Sequence, residues 1–240
     1  MTTDGLSAGS ARVVALDGPA GSGKSTVARR VAAQLGWRYV DTGATYRALT
    51  VAVLRDGVRP ADADAVLEVA ERSTVRLGLD PRAPVVELDG HDVTAAVRSP
   101  AVTAAVSAVS SHPAVREILL GWQREAMGTD GAVAEGRDVA SRVAPFAAVK
   151  VYLDADPGVR AQRRARDDDP GVGPAPGACM QEHLEPAVAA DLARRDALDS
   201  ATNPLRAVDG AVHLDSSALS VDEVVRQVLD LVAAAGLAVR

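Results

Sequence analysis

Apolar positions along this chain fall into two periods that alternate. "RVVALDG" is a short β-branched run ending at Gly18 and predicts a buried strand. From Ser25 onward Val27, Ala28, Val31, Ala32 and Leu35 recur at helical spacing, and Gly36 stops them. "WRYVD" predicts the next strand. A helix follows from about Thr45 to Asp56, with Tyr46, Leu49, Thr50 and Val53 on one face. Asp62 to Ser73 predicts another.

The rhythm then changes. "TVRLGLD", "VVELDG" and "HDVT" are short strand-like runs broken by Pro81, Pro84 and Asp89-Gly90, an antiparallel patch of about 65–95 inside an otherwise alternating chain. Helices follow at roughly Pro100–Ser110 and Pro113–Met127. "GAVAEG" and "AAVKVYLDA" predict strands, and "DPGVRAQRRARDD" opens an arginine-rich helix. "DDPGVGPAPGA" is a Gly/Pro loop, and Gln181–Leu198 is helical in pattern. "AVHLD" is a last short strand. "SVDEVVRQVLDLVAAAG" is a last amphipathic helix, with Ser220 and Glu223 in capping-box spacing. Strand alternating with helix predicts an α/β fold, a parallel sheet with helices on both faces. No internal repeat is visible.

Composition narrows the classes. At 240 residues and 48% hydrophobic the chain can build one large domain. A net charge of −6 argues against a general nucleic-acid binder. The single cysteine, Cys179, excludes an intramolecular disulfide and a thiolate metal cluster and fits a reducing cytosol. No apolar run reaches the length of a membrane span. The start "MTTDGLSAGS", residues 1–10, reads as a frayed tail, and no exposed apolar face is obvious, so a monomer is expected. Basic residues are almost all arginine, and Lys24 and Lys150 are the two lysines. Lys24 sits inside a glycine-rich loop, where a slim point charge fits between phosphates better than a planar fork.

That loop is the first piece of chemistry. Gly18, Gly23, Lys24 and Ser25 satisfy G-x-x-x-x-G-K-[ST] between a predicted strand and a predicted helix. Backbone N–H groups and the helix N-terminus would cradle phosphate oxygens, Lys24 would reach the β- and γ-phosphates, and the Ser25 hydroxyl would face Mg²⁺. The loop does not name the reaction. A guanine-reading Asn-Lys-x-Asp is absent. "KVYLDAD" offers Asp154 or Asp156 to a metal, or simply ends a strand; an arginine helix follows it rather than a hydrolysis site.

Phosphoryl transfer needs a seated acceptor and cations around the moving group. Arginine supplies bidentate grips. Arg47 follows the second strand, with Thr42 at the loop, and "PAVREIL" carries Arg116. "EGRD" puts Arg137 and Asp138 just past a strand's C-terminal end, where ligands of open parallel sheets collect. Arg160, Arg163 and Arg164 share a helical face, and the Gly/Pro loop after them suits a lid that excludes water. "RRDALD" adds Arg194, Arg195 and Asp199.

The set "DGPAGSGKST", "YVDTGATYRA", "AEGRD", "VYLDADPGVRAQRR" and "RRDALDS", in this order and with these gaps, resembles the bacterial cytidylate kinases, nucleoside monophosphate kinases of the P-loop class. The likeness runs from about Arg12 to the final helix. It implies a three-layer fold around a five-stranded parallel sheet, with an acceptor-binding insert at about 60–110 and a lid at about 156–185 of a single domain, 11–240. It implies transfer of a phosphoryl group from ATP to CMP or dCMP with Mg²⁺. By resemblance Gly18, Pro19, Ala20, Gly21, Ser22, Gly23, Lys24, Ser25 and Thr26 bind ATP. Thr42, Tyr46 and Arg47 sit near the acceptor, and Arg47 holds its phosphate. Ser107, Arg116 and Asp138 read cytosine, Arg137 and Arg195 bind phosphates, and Asp199 binds a ribose hydroxyl. Lys24, Arg137, Arg163 and Arg164 are the expected catalytic cations, and Ser25 the metal ligand. A carboxylate at Asp138 would accept from the exocyclic amine that uracil lacks. The chain departs from the family pattern in three places, one of them the lid stretch "DDDPGVGPAPG", which is more acidic and Pro-rich than the family leads one to expect. Thr202 in "ATNPL" stands near an expected arginine, with about two residues missing. Arg142 in "VASRV" stands where an apolar residue is usual. A P-loop kinase for another small acceptor, or an ATP-binding regulatory module without transfer, are the alternatives.

Overall fold

The computed structural model describes residues 11–168, 189–190, 193–194, 196–197, 200 and 206–237. The tail, the Gly/Pro loop, Arg195, Asp199, Thr202, and much of the Gln181–Leu198 helix and of the expected lid lie outside them. Eight strands and seven helices are labelled here. They are β1 (Ala11–Asp17), α1 (Lys24–Leu35), β2 (Arg38–Asp41), α2 (Thr42–Arg55), α3 (Ala63–Arg72), β3 (Val75–Leu77), β4 (Val86–Leu88), β5 (His91–Asp92), α4 (Pro100–Ser110), α5 (Pro113–Met127), β6 (Ala132–Gly136), β7 (Ala147–Asp154), α6 (Pro157–Asp168), β8 (Val212–Asp215) and α7 (Val221–Ala234).

The main sheet has five parallel strands in the order β2-β6-β1-β7-β8. Both faces of β1 are covered, which is why its sequence is nearly continuous in apolar residues. Val14 and Leu16 face a layer built with α1 and α7, through Val27, Val31, Val224 and Val228. Val13 and Ala15 point the other way, toward Val40, Met127 and Val139. This is the three-layer P-loop architecture the sequence implies. A second core joins α2, α3, α4 and α5 to the small antiparallel sheet β3-β4-β5.

Local chemistry sets the boundaries. Proline at the first turn starts α4 and α5 where expected. Ser220 and Glu223 close the capping box of α7. The α2 helix begins three residues before the expected Thr45, because the Asp41 carboxylate accepts from the Ala44 N–H at 2.9 Å and caps it. A π-helical turn, Val139–Val143, follows β6 and has no counterpart in the sequence pattern.

Parallel register brings the strand ends level. Asp41 pairs with Glu135, Asp17 with Gly136 and Tyr152, and Asp154 with Asp215. The segments that leave that edge carry the glycine loop and Lys24 after β1, Thr42, Tyr46 and Arg47 after β2, Arg137 and Asp138 after β6, and Arg160 and Arg163 after β7, at the place where strand order switches about β1.

Candidate active site

The loop after β1 folds as a cradle. Gly18 and Gly21 have φ of 153° and 75°. A Cβ on Gly18 would collide with the Leu153 carbonyl oxygen, and one on Gly21 would lie 2.7 Å from the Arg160 carbonyl oxygen. Only glycine satisfies both the backbone and the space. Lys24 is buried, and its Nζ donates to the Pro19 carbonyl at 2.6 Å across the loop. Burial, reinforced by Arg137, pulls its ammonium down to about 8, against the opposing pull of Glu135, Asp17 and Asp196.

The α6 helix grips the outer rim of the cradle. Arg160 donates through Nη1 to the Ala20 carbonyl at 3.1 Å and to Asp196 Oδ2 at 2.6 Å. Arg163 donates to the Ser22 carbonyl at 3.4 Å and to both Oγ and the carbonyl of Ser216. Arg164 lies on the same helix. Asp154 Oδ1 accepts from the Ala155 N–H at 2.8 Å at the strand end while its Oδ2 lies 3.8 Å from His213 Nε2, and Asp156 accepts from the Gly158 N–H in the first turn of α6.

The opposite wall begins with "EGRD". Arg137 Nη1 donates to the Gly18 carbonyl at 2.8 Å and stands 3.9 Å from Asp196. Its neighbour Asp138 turns to α5 and pairs with Arg116 Nη2 at 2.5 Å, a pair only 4% and 10% exposed. Arg116 also donates to the Ser110 carbonyl, and its guanidinium lies 5.5 Å from the Tyr46 ring centre. Ser107 is half-buried one turn before Ser110 on α4, and its carbonyl accepts from the Ser110 hydroxyl. Burial holds the Tyr46 hydroxyl above its ordinary value. The structure thus gathers Tyr46 and Asp138 around Arg116, and Ser107 lies one turn from the Ser110 carbonyl that Arg116 reaches. Arg47 pairs with Asp41 at 2.6 Å near the start of α2. The Thr42 hydroxyl donates to the Glu135 carbonyl at 2.8 Å, so it anchors α2 to β6 in addition to any acceptor contact.

Four groups escape the sequence reading. Glu135 is buried behind the cradle and accepts from the Tyr39 hydroxyl at 2.8 Å, with the Ser25 side chain near enough to favour its charged form. Burial first, and then Asp41, push its carboxyl upward, opposed by Lys24, by Ser25 and by the Tyr39 hydrogen bond. Asp17 closes β1 onto the π-helical turn, accepting from the Val139 and Ala140 N–H groups at 2.7 and 2.8 Å. Burial outweighs those two bonds and pushes its carboxyl up to about 6. Gln123, fully buried on α5, donates to the Thr42 carbonyl and to Thr45 Oγ1 at 2.9 Å, pinning the first turn of α2. Asp196 bridges Arg137 and Arg160. The available signal is small: Asp17 closes β1 and Glu135 is the last residue but one of β6, and carboxylates at strand ends beside a phosphate loop invite attention. Arg142, the departure after "GRD", pairs with Glu117 of α5 at 2.5 Å, so a charge replaces apolar packing at the rim.

Comparison with known proteins gives a consistent result. The family model for cytidylate kinase matches residues 14–234. A cytidylate kinase of Nocardia farcinica is 45% identical over 231 residues, covering 92% of this chain and 93% of that protein. One from Mycobacterium avium is 46% identical over 223 residues, with 92% and 94% covered. One from Geobacillus kaustophilus is 41% identical over 221 residues, with 91% and 95% covered. A solved shikimate kinase from Acinetobacter baumannii, in complex with shikimate, covers 95% of this chain and 96% of its own at 15% identity and a TM-score of 0.43, too loose a fit to bear on the site.

Proposed function

The chain belongs to the cytidylate kinase family, and from that premise we propose how its residues divide the work of moving a phosphoryl group. It transfers the γ-phosphoryl group of ATP to CMP or dCMP, giving ADP and CDP or dCDP. One observation carries the division of labour: the Arg137–Asp138 dipeptide reaches both ways. Arg137 holds the Gly18 carbonyl of the cradle, while Asp138 holds Arg116. Two consecutive residues therefore join a donor site to an acceptor site.

The cradle Gly18–Thr26 takes the ATP phosphates. Lys24 leaves the Pro19 carbonyl for the β- and γ-phosphates, which restore the charge that burial opposes. Asp138, with one oxygen committed to Arg116, offers the other to the exocyclic amine of cytosine; Ser107 and Tyr46 frame the base. Arg47 exchanges Asp41 for the acceptor phosphate, with Arg137, Arg195 and Asp199 completing the contacts to phosphate and ribose. The acceptor oxygen is already anionic, so no general base is required, and catalysis is alignment and charge neutralisation. Arg160, Arg163 and Arg164 belong to a lid at about 156–185 that closes the site and excludes water, with Arg163 and Arg164 supplying charge to the transferring group.

Mg²⁺ fits the residues present. The Ser25 hydroxyl and the buried Glu135 carboxylate, whose charge Lys24 also feels, are neighbouring hard oxygens, the donor type this ion requires. They would hold it, and when bound it neutralises phosphate charge. No helix among the described residues is long and apolar enough to cross a membrane; cytoplasmic residence and a monomeric state complete the proposal.

The test is a coupled ADP-release assay with ATP, Mg²⁺ and a panel of CMP, dCMP, UMP and AMP. CMP and dCMP should be the preferred acceptors. An enzyme that prefers AMP or another acceptor, or binds ATP without turnover on any monophosphate, would overturn the assignment of the acceptor wall.

A further inference from the structure

A cavity of about 410 Å³ opens at the C-terminal end of β1, lined by Asp17, Arg137, Ser141, Arg206, Val208 and Asp209, with Ala207 between the last groups. We propose that Arg206 is an acceptor-side cation that receives the phosphate of the incoming nucleoside monophosphate together with Arg137. This rests on the reading of the acceptor wall above.

Position comes first. The turn carrying Arg206 precedes β8 and is anchored. Val208 packs on the apolar layer that includes Val13, Ala15 and Ala140, and its carbonyl accepts from the Ala211 N–H at 3.0 Å. That layer is the face of the sheet covered by the π-helical turn and α5, which also carry Asp138 and Arg116. The cradle helix α1 covers the opposite face. Ser141, whose hydroxyl donates to the Asp138 carbonyl at 3.2 Å, joins the cavity to the residue assigned to the base.

Charge comes second. Both Asp17 oxygens are taken by backbone N–H groups. Asp209 shares the lining, but no ion pair joins it to Arg206 among the described residues. Two guanidinium groups therefore border one cavity while its buried carboxylate is already satisfied. A nucleoside monophosphate brings a phosphate dianion, and Arg206 would add to the forks of Arg47, Arg137 and Arg195 a further planar donor for its second charge. A ribose hydroxyl would gain far less from a full cation.

The experiment uses the full-length protein with Arg206→Ala and Arg206→Lys. Steady-state kinetics are run with CMP, dCMP and ATP, and calorimetry measures binding of CMP and of cytidine without ATP. The expected result for Arg206→Ala is a rise in KM for CMP and dCMP alike by roughly ten-fold. CMP affinity weakens in parallel, cytidine affinity and the KM for ATP stay within about two-fold, and Lys recovers part of the loss. Unchanged CMP affinity, an equal rise in the KM for ATP, or a loss confined to CMP with dCMP spared would each overturn the proposal. Wild type that fails to turn over CMP sinks the acceptor reading itself; a variant indistinguishable from an active wild type sinks this inference alone.

Discussion

Replacing Asp138 by asparagine changes charge and hydrogen-bond polarity while keeping shape. In the native site Asp138 Oδ2 is committed to Arg116 at 2.5 Å, and both side chains are nearly out of contact with solvent. The remaining oxygen can only accept, which suits the cytosine amine and repels the uracil carbonyl at the same position. An amide can instead turn its N–H₂ toward that carbonyl. A buried partner left unsatisfied costs about 1–3 kcal/mol, so kcat/KM for CMP should fall roughly ten- to a hundred-fold. UMP should gain relative to CMP, and the KM for ATP should move little. Stability also falls. Outright removal of one partner from a buried pair costs about 3–5 kcal/mol, and the amide keeps one acceptor for Arg116, so that range is a ceiling. For a chain of this size each kcal/mol lowers Tm by about 2–4 °C. Kinetics are therefore read well below the variant's own Tm, with CMP, UMP and ATP titrated in turn. Equal weakening toward CMP and ATP, or an unchanged CMP-to-UMP ratio, would refute a base-reading role for Asp138.

Three further outcomes are expected. Lys24→Ala should lower kcat by roughly 10²–10³-fold, the scale of losing one preorganised donor at the transferring group, with an unchanged circular dichroism spectrum. Glu135→Gln should raise the Mg²⁺ concentration for half-maximal activity by about ten-fold or more, read by metal titration at saturating ATP; an unchanged titration would remove Glu135 from the metal site. Asp17 ionises near about 6 in the fold against 3.8 for the free group. The folded state thus holds the proton more tightly between those values, and Asp17 makes stability fall as pH rises through that window. Asp17→Asn removes this slope, so the wild-type minus variant difference in urea unfolding free energy should decline from pH 4 to 6 and stay level above it. A rising difference would contradict the burial argument.

What could be read in the sequence was what neighbours along the chain dictate. The cradle was legible because its glycines, Lys24 and Ser25 lie within nine residues, between a strand and a helix. The starts of α4 and α5 were legible because Pro100 and Pro113 fix them, and the α7 cap because Ser220 and Glu223 are three apart. What escaped depends on pairings between distant segments. Glu135 comes to lie behind the cradle and to meet Tyr39 because β6 inserts between β1 and β2, a strand order no local pattern encodes. The π-helical turn exists because Asp17, some 120 residues earlier, supplies its two acceptors. Gln123 is one polar residue on an amphipathic helix, and only the packing of α5 on α2 makes it a tether. The expected start of α2 at Thr45 missed Asp41 as a cap, although an aspartate before a run of helix formers is itself a local signal. The resemblance implies an acceptor wall that includes Tyr46, Arg116 and Asp138, and the fold brings these three together around the Arg116 guanidinium.

In the proposed mechanism the phosphoryl group held in the cradle passes to a nucleotide seated at Arg47 and Asp138 rather than to water. Following a γ-labelled ATP phosphoryl group with CMP present, and separating CDP from inorganic phosphate, tests it directly. The account predicts nearly all label in CDP, with transfer lost in Arg47→Ala while ATP still binds. Label accumulating as inorganic phosphate, or transfer untouched by removing Arg47, would contradict it.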